Sequence, residues 1–213
     1  IVLQDHIKDD AYATFKWFKE NGVKIKVISG DNAVTVSEIA KRVGIVDADK
    51  YISLEGKTVE EIKEIAQNYT VFGRVTPEQK EAIIECLEEN KETVAMTGDG
   101  VNDILALKKA DCSIAMANGS EAAKNVSHIV LSNSNFASLP EVVGEGRRVI
   151  NNLQRTCSLF LVKTIFAVFV TLFFVVVSAI NKKYTYPFLT NNMYLWELCF
   201  IGISSSFLAL EPN

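Results

Sequence analysis

Two carboxylates four positions apart, Asp99 and Asp103, stand in the stretch Met96-Thr97-Gly98-Asp99-Gly100-Val101-Asn102-Asp103. The apolar run at 93–96 predicts a buried strand and residues 104–107 predict a helix, so the stretch is a strand-to-helix turn. In an open parallel sheet such turns lie at the carboxyl ends of the strands, where ligands bind, and the two glycines let the backbone approach an anion closely. If the turn runs on into a helix, both carboxylates can face one point. Two carboxylates beside exposed N–H groups suit a hard divalent cation. Mg²⁺ is the first choice, because it needs few protein ligands and shares its other positions with water and phosphate. Taken alone, the same residues also read as a capped helix start.

Two further turns supply complementary groups. Val23-Lys24-Ile25-Lys26-Val27-Ile28 alternates as a strand and enters Ser29-Gly30-Asp31-Asn32, followed by a helix over about 33–42. Thr70-Val71-Phe72 leads through Arg74-Val75-Thr76-Pro77 to a helix with Lys80 in its first turn. A hydroxyl, a cation and two carboxylates are therefore expected at one sheet edge.

The elements that position them follow from pattern. Residues 9–20 form a helix packing Ala13, Phe15, Trp17 and Phe18 on a sheet, stopped by Asn21-Gly22. Strands are expected at 1–3, 51–54, 112–116 and 128–131, and helices at 59–67 and 120–124; no chemistry attaches to 45–69. Strand and helix alternating in this way predict an α/β doubly wound, Rossmann-like parallel sheet. His128, at a strand start, reads as structural.

From about residue 136 the period changes to helical and runs unbroken from 141 to 180. A helix of roughly forty residues is about 60 Å long, twice the roughly 30 Å hydrocarbon thickness, so half of it must lie outside a membrane. Arg147, Arg148 and Arg155 precede its apolar part and place that end, with residues 1–155, in the cytoplasm of a multi-pass cell-membrane protein. The expected organisation is a soluble domain over 1–140, a stalk and membrane helix over 141–180, an outer loop over 181–190 and a second membrane helix over 191–213. With 48% hydrophobic residues and a formal net charge of −4, nothing points to nucleic acid as a partner. The four cysteines have no metal-ligand spacing and read as plain thiols. No signal peptide opens the chain, and the start at Ile1 is expected to be an internal cut.

The full T-G-D-G-V-N-D, with V-T-P-E-Q-K before it and G-R-R-V-I-N-N after it, resembles the P-type cation-transporting ATPases, whose phosphorylation domain is of the haloacid-dehalogenase type. The resemblance covers essentially all of the chain. It implies that the Ser29 hydroxyl and Gly30 amide, with Asp31, hold phosphoryl oxygens at a helix start, where N–H groups carry partial positive charge. It implies that Lys80 neutralises an acyl phosphate, since phosphoryl transfer needs charge stabilisation more than covalent help. By the same resemblance Asp99 chiefly holds Mg²⁺, Asp103 and Asn102 steady the loop and the phosphate, and Asp5 and Arg74 lie near the nucleotide, ATP. The family's D-P-x-R appears here as Asp5-His6-Ile7-Lys8, and an ammonium cannot reproduce a guanidinium fork. The family's phosphorylated aspartate belongs to D-K-T-G-T, which these 213 residues do not contain. The nucleotide-binding and actuator domains and the earlier membrane helices are absent as well. The resemblance therefore implies part of an ATP-driven cation pump, inactive alone; the alternative is a membrane-anchored phosphatase of the same superfamily.

Lys163 and Glu197 are the only formal charges in the two apolar segments, and each costs about 2.5 to 3.5 kcal/mol on insertion scales. Counting rise from each membrane face puts them at heights that differ by about 6 Å, within joint reach of the two side chains. They are expected to pair beside the transport site. Where calcium pumps carry ligands, this chain has Thr164, Ala167 and Ile201, so by resemblance that set is not kept. Lys163 falls where the gastric proton pump has a built-in cation. Transport-site candidates are therefore Lys163, Thr164 and Glu197, with low ion stoichiometry or proton coupling implied.

Overall fold

The computed structural model describes residues 7–183, 186 and 190–209; Asp5 and the strand expected at 1–3 lie outside the described residues. The chain divides into two compact units, Ile1–Pro140 and Glu141–Asn213.

In the first unit α1 (Ala11–Glu20) ends at Asn21 and at Gly22, whose φ of 73° is the left-handed stop the sequence foretells. There follow β1 (Val27–Ile28), α2 (Ala33–Arg42), β2 (Tyr51–Ser53), α3 (Val59–Ile65), β3 (Val71–Gly73), α4 (Pro77–Glu89) and β4 (Ala95–Gly98). A 3₁₀ turn, Val101–Asp103, opens α5 (Ile104–Lys109), and β5 (Cys112–Met116), α6 (Glu121–Val126) and β6 (Ile129–Leu131) complete the alternation. All pairings are parallel, as expected of a haloacid-dehalogenase-like α/β fold. The strands form two three-stranded sheets, β1-β3-β2 and β4-β5-β6, rather than one continuous sheet. Among the described residues β1 and β4 each have a neighbour on one side only, so no ladder joins the halves.

Side chains join them instead. Leu54, Ile62, Phe72 and Ile83, all fully buried, form a core between the first sheet and α3 and α4. Ile84, Met96, Ala106 and Leu107 form a second core between β4, α4 and α5. Consecutive residues of α4, Ile83 and Ile84, therefore serve different cores, and Ile28 of β1 packs against both. Each fully buried isoleucine, leucine or phenylalanine among them contributes about 1.5 to 3 kcal/mol.

The start of α4 is fixed by several bonds. Pro77 stands at its first position, and Thr76 and Gln79 form a reciprocal capping box. Gln79, buried, donates from Nε2 to the carbonyls of Leu54 (3.0 Å) and Lys57 (2.9 Å). The next residue is Lys80, so this anchoring sets where its side chain begins.

The second unit holds most of α7 (Leu139–Ile180), 42 residues or about 63 Å of helix. Among the described residues it is the one helix long and apolar enough to cross a membrane. The described part of the expected second membrane helix is not a single α-helix. It comprises α8 (Thr190–Trp196), a π-helical segment Glu197–Ile203, and α9 (Ser204–Ala209). Gly202 gives the widened segment no side chain to hold α geometry, and the hydroxyls of Ser205 (3.2 Å) and Ser206 (2.8 Å) both donate to its carbonyl.

Candidate catalytic site

Three turns converge at the carboxyl ends of β1, β3 and β4. Val75 donates its N–H to the Ser29 carbonyl (3.1 Å) and Arg74 donates to that of Asp31 (2.8 Å), which joins the first two. Their closeness depends on Gly73, because a Cβ there would overlap the backbone of Ala33 at the start of α2. The Ser29 hydroxyl accepts from the Asp31 N–H (3.1 Å), and Asn32 caps α2 by accepting from Val34 (2.9 Å). Gly30 is exposed with open space around its Cα, and its N–H has no partner among the described residues. This leaves a free donor at a helix start, a suitable seat for a phosphoryl oxygen. Arg74 is exposed and sits at φ 54°, a left-handed conformation that costs a non-glycine residue about 1 to 3 kcal/mol.

The third turn is joined by an ion pair. Lys80 Nζ lies 2.7 Å from Asp103 Oδ1, with the two side chains only 12% and 11% exposed. The other oxygen, Oδ2, accepts from the Gly100 N–H at 3.1 Å. Gly98 makes room for this carboxylate: a Cβ on it would come within 2.6 Å of Asp103 Cβ. Asp103 is thus turned inward, holding Lys80 on one side and the loop on the other. Asp99 is exposed, and among the described residues its carboxylate has no partner; Asn102 is exposed beside it. Of the two carboxylates expected on a metal, Asp99 is the open one.

No group of three or more His, Cys, Asp or Glu side chains suited to a metal occurs among the described residues. The open Asp99 carboxylate still fits Mg²⁺, which binds through one or two carboxylates with water and phosphate completing its shell. One contact was not anticipated from sequence: the Ser120 N–H donates to the Asp99 carbonyl (2.7 Å). Its only signal was Asn118-Gly119-Ser120, a turn after a buried strand at the same sheet edge.

In the second unit Lys163 of α7 and Glu197, the first residue of the π-helical segment, form an ion pair, with side chains 19% and 44% exposed. Phe166 and Trp196 pack edge to face alongside, ring centroids 5.3 Å apart. The Thr164 hydroxyl donates to the Phe160 carbonyl (2.8 Å), which leaves its oxygen lone pairs available.

Parallel strands whose following turns carry a serine hydroxyl, a free glycine N–H, a lysine and an aspartate define an α/β domain with donors and carboxylates at its strand ends. Residues 1–111 match the haloacid dehalogenase-like hydrolase family, and the chain belongs to it. More narrowly, its homologues are cation-transporting ATPases of the P-type. The whole chain is 42% identical to the Calcium-transporting ATPase CtpE of Mycobacterium bovis and 39% identical to the Probable cation-transporting ATPase exp7 of Streptococcus pneumoniae. A crystal structure of a zinc-transporting PIB-type ATPase in its E2.Pi state superimposes on 97% of the chain with a TM-score of 0.68 at 22% identity, a likeness of fold covering 28% of that protein. The chain spans 27% and 28% of the two curated relatives. Those relatives are transporters, which favours the pump reading over the anchored phosphatase.

Proposed function

We propose that these residues form the later part of the phosphorylation domain, and the following membrane segments, of an ATP-driven pump that couples formation and hydrolysis of an aspartyl phosphate to cation transport. The observation that supports this reading is the Lys80–Asp103 ion pair in the loop that carries the open Asp99, with the Ser29–Gly30 turn joined through Val75 to the segment that leads into α4. Ser29 and the Gly30 N–H would hold phosphoryl oxygens, and Lys80 would share its charge between Asp103 and the phosphoryl group. Asp99 would hold Mg²⁺, which supplies charge neutralisation at the transferring group. Arg74 would face ATP, while Asn102 and Asp103 keep the loop in place. The aspartate that receives the phosphoryl group, the nucleotide-binding and actuator domains and the remaining membrane helices would come from the same polypeptide.

By this reading the protein is a multi-pass cell-membrane protein. Residues 1–155 are cytoplasmic, 181–190 form an outer loop, and 191–213 cross back. The relatives' names point to calcium or another cation as cargo. Lys163, Thr164 and Glu197 are the transport-site candidates; because Lys163 already neutralises Glu197, a cation arriving there meets a site partly filled, in keeping with low stoichiometry or proton exchange.

The decisive measurement is the Mg²⁺-dependent, hydroxylamine-sensitive phosphoenzyme of the intact parent. Asp99→Asn should abolish it, and Lys80→Ala should lower its rate of formation by about 10²-fold or more. A normal phosphoenzyme level in Asp99→Asn would remove the metal assignment.

A further inference from the structure

Between β5 and α6 the chain turns through Ala117, Asn118, Gly119 and Ser120, and this turn closes on the backbone of Asp99. The Ser120 N–H donates to the Asp99 carbonyl at 2.7 Å. A Cβ on Gly119 would lie 2.8 Å from that same oxygen and 3.0 Å from Asp99 Cα, backbone atoms that cannot rotate aside. Gly119 is not among the glycines with positive φ, so its conformation would accept an ordinary residue. The nearness of Asp99, together with the Met116 carbonyl oxygen at 3.0 Å, demands glycine there.

The turn is itself firmly held. Ala117 donates its N–H to the Leu131 carbonyl (3.0 Å), Asn118 donates to the Ser134 hydroxyl (3.0 Å), and Lys124 Nζ reaches the Ala117 carbonyl (3.2 Å). The Asp99 carboxylate, by contrast, has no partner among the described residues. Its position is therefore fixed only through its main chain, and that main chain is held by this turn.

We infer that Gly119 and the Ser120 N–H are positioning residues for the divalent cation at Asp99, an inference that rests on the assignment of that cation above. Groups that orient a metal ligand without touching the metal typically change affinity by about 10- to 100-fold when altered. Two substitutions separate steric from hydrogen-bond support. Gly119→Ala crowds the Asp99 backbone most closely, with the Met116 carbonyl beside it. Ser120→Pro keeps the φ of −64° already present, which proline adopts, but deletes the N–H. Ser120→Ala is its control, removing only the hydroxyl that caps α6 through the Ala123 N–H (3.1 Å). Asn118→Ala is a second control, an exposed neighbour whose backbone bond survives.

The readout is the Mg²⁺ concentration at half-maximal shift of Tm for the purified intact parent, with the metal alone and no nucleotide, alongside KM for ATP. Gly119→Ala and Ser120→Pro should raise the Mg²⁺ midpoint about tenfold with KM for ATP unchanged, while Ser120→Ala and Asn118→Ala keep the wild-type midpoint. The inference is overturned if the first two keep the wild-type midpoint, or if Ser120→Ala shifts it as far as Ser120→Pro. Should Gly119→Ala fail to fold, the Ser120→Pro and Ser120→Ala comparison decides alone. Asp99→Asn separates the two levels: loss of the Mg²⁺-dependent shift upholds the metal assignment whatever Gly119 does, and retention of the shift overturns both.

Discussion

At Lys80 a single ammonium ties α4 to the loop that follows β4. Its pairing with Asp103 at 2.7 Å offsets the burial of both groups, because an unpaired ion there would cost several kcal/mol. Lys163 and Glu197, whose pairing was expected from sequence, are also paired. If the pair borders the transport path, Lys163→Ala should change the cation or pH dependence of ion-stimulated ATPase activity in the reconstituted parent, and Glu197→Gln should move the same parameter. Unchanged ion and pH profiles in both variants would make the pair structural. Legibility at this scale was uneven. The spacing of Asp99 and Asp103 foretold two carboxylates in one turn, but not that one would turn inward. That outcome depends on the 3₁₀ turn Val101–Asp103 and on the room left by Gly98, neither of which spacing encodes. The hold of Gly119 on Asp99 joins residues twenty apart in sequence and was invisible for the same reason.

Among the elements, α4 is the beam between the two cores, and its outer face is braced. Lys63 of α3 and Lys109 of α5 both reach Glu85 of α4, at 3.3 and 3.2 Å. Hydrogen bonds from these lysines, Lys109 first, hold the Glu85 carboxyl below its ordinary 4.5. A carboxylate with lowered pKa in the folded state adds stability above its unfolded value and loses it as pH falls through the lowered one. Glu85→Gln should therefore lower Tm slightly near pH ~7, and its difference from wild type should vanish by pH ~3, as urea or thermal melts across that range would show. A difference that persisted in acid would mean that shape, not charge, matters at Glu85. Helices were the more legible elements. The helix expected over 33–42 is α2 as found, because Asn32 and the apolar positions of one face mark it locally. Strands were less so: the six-residue alternation at 23–28 yields only Val27–Ile28, since its partner β3 begins at Val71. Strand length is settled by a neighbour remote in sequence.

For the whole molecule, sequence separates two regimes: a unit with cores, and a long helix whose apolar half exposes Phe169, Phe173, Val175 and Val176. Apolar side chains left this open are placed for lipid rather than for water. A different property of α7 follows from two of its glycines. Gly144 and Gly146 lie near its start, and a Cβ at either would meet nothing within 4 Å. Packing does not ask for glycine at these places, yet each weakens a helix by about 0.5 to 1 kcal/mol relative to alanine. Considered as an elastic rod, the helix is most compliant at Gly144–Gly146, just before Arg147 and Arg148, and stiffer towards the apolar half. Replacing both glycines with alanine should slow amide exchange over 141–150 by about tenfold, and exchange at the wild-type rate would show that the stiffness lies elsewhere. A rod that bends first at a fixed notch turns a push at one end into a change of angle rather than a sliding motion, and those two missing methyl groups place that notch ahead of the apolar half.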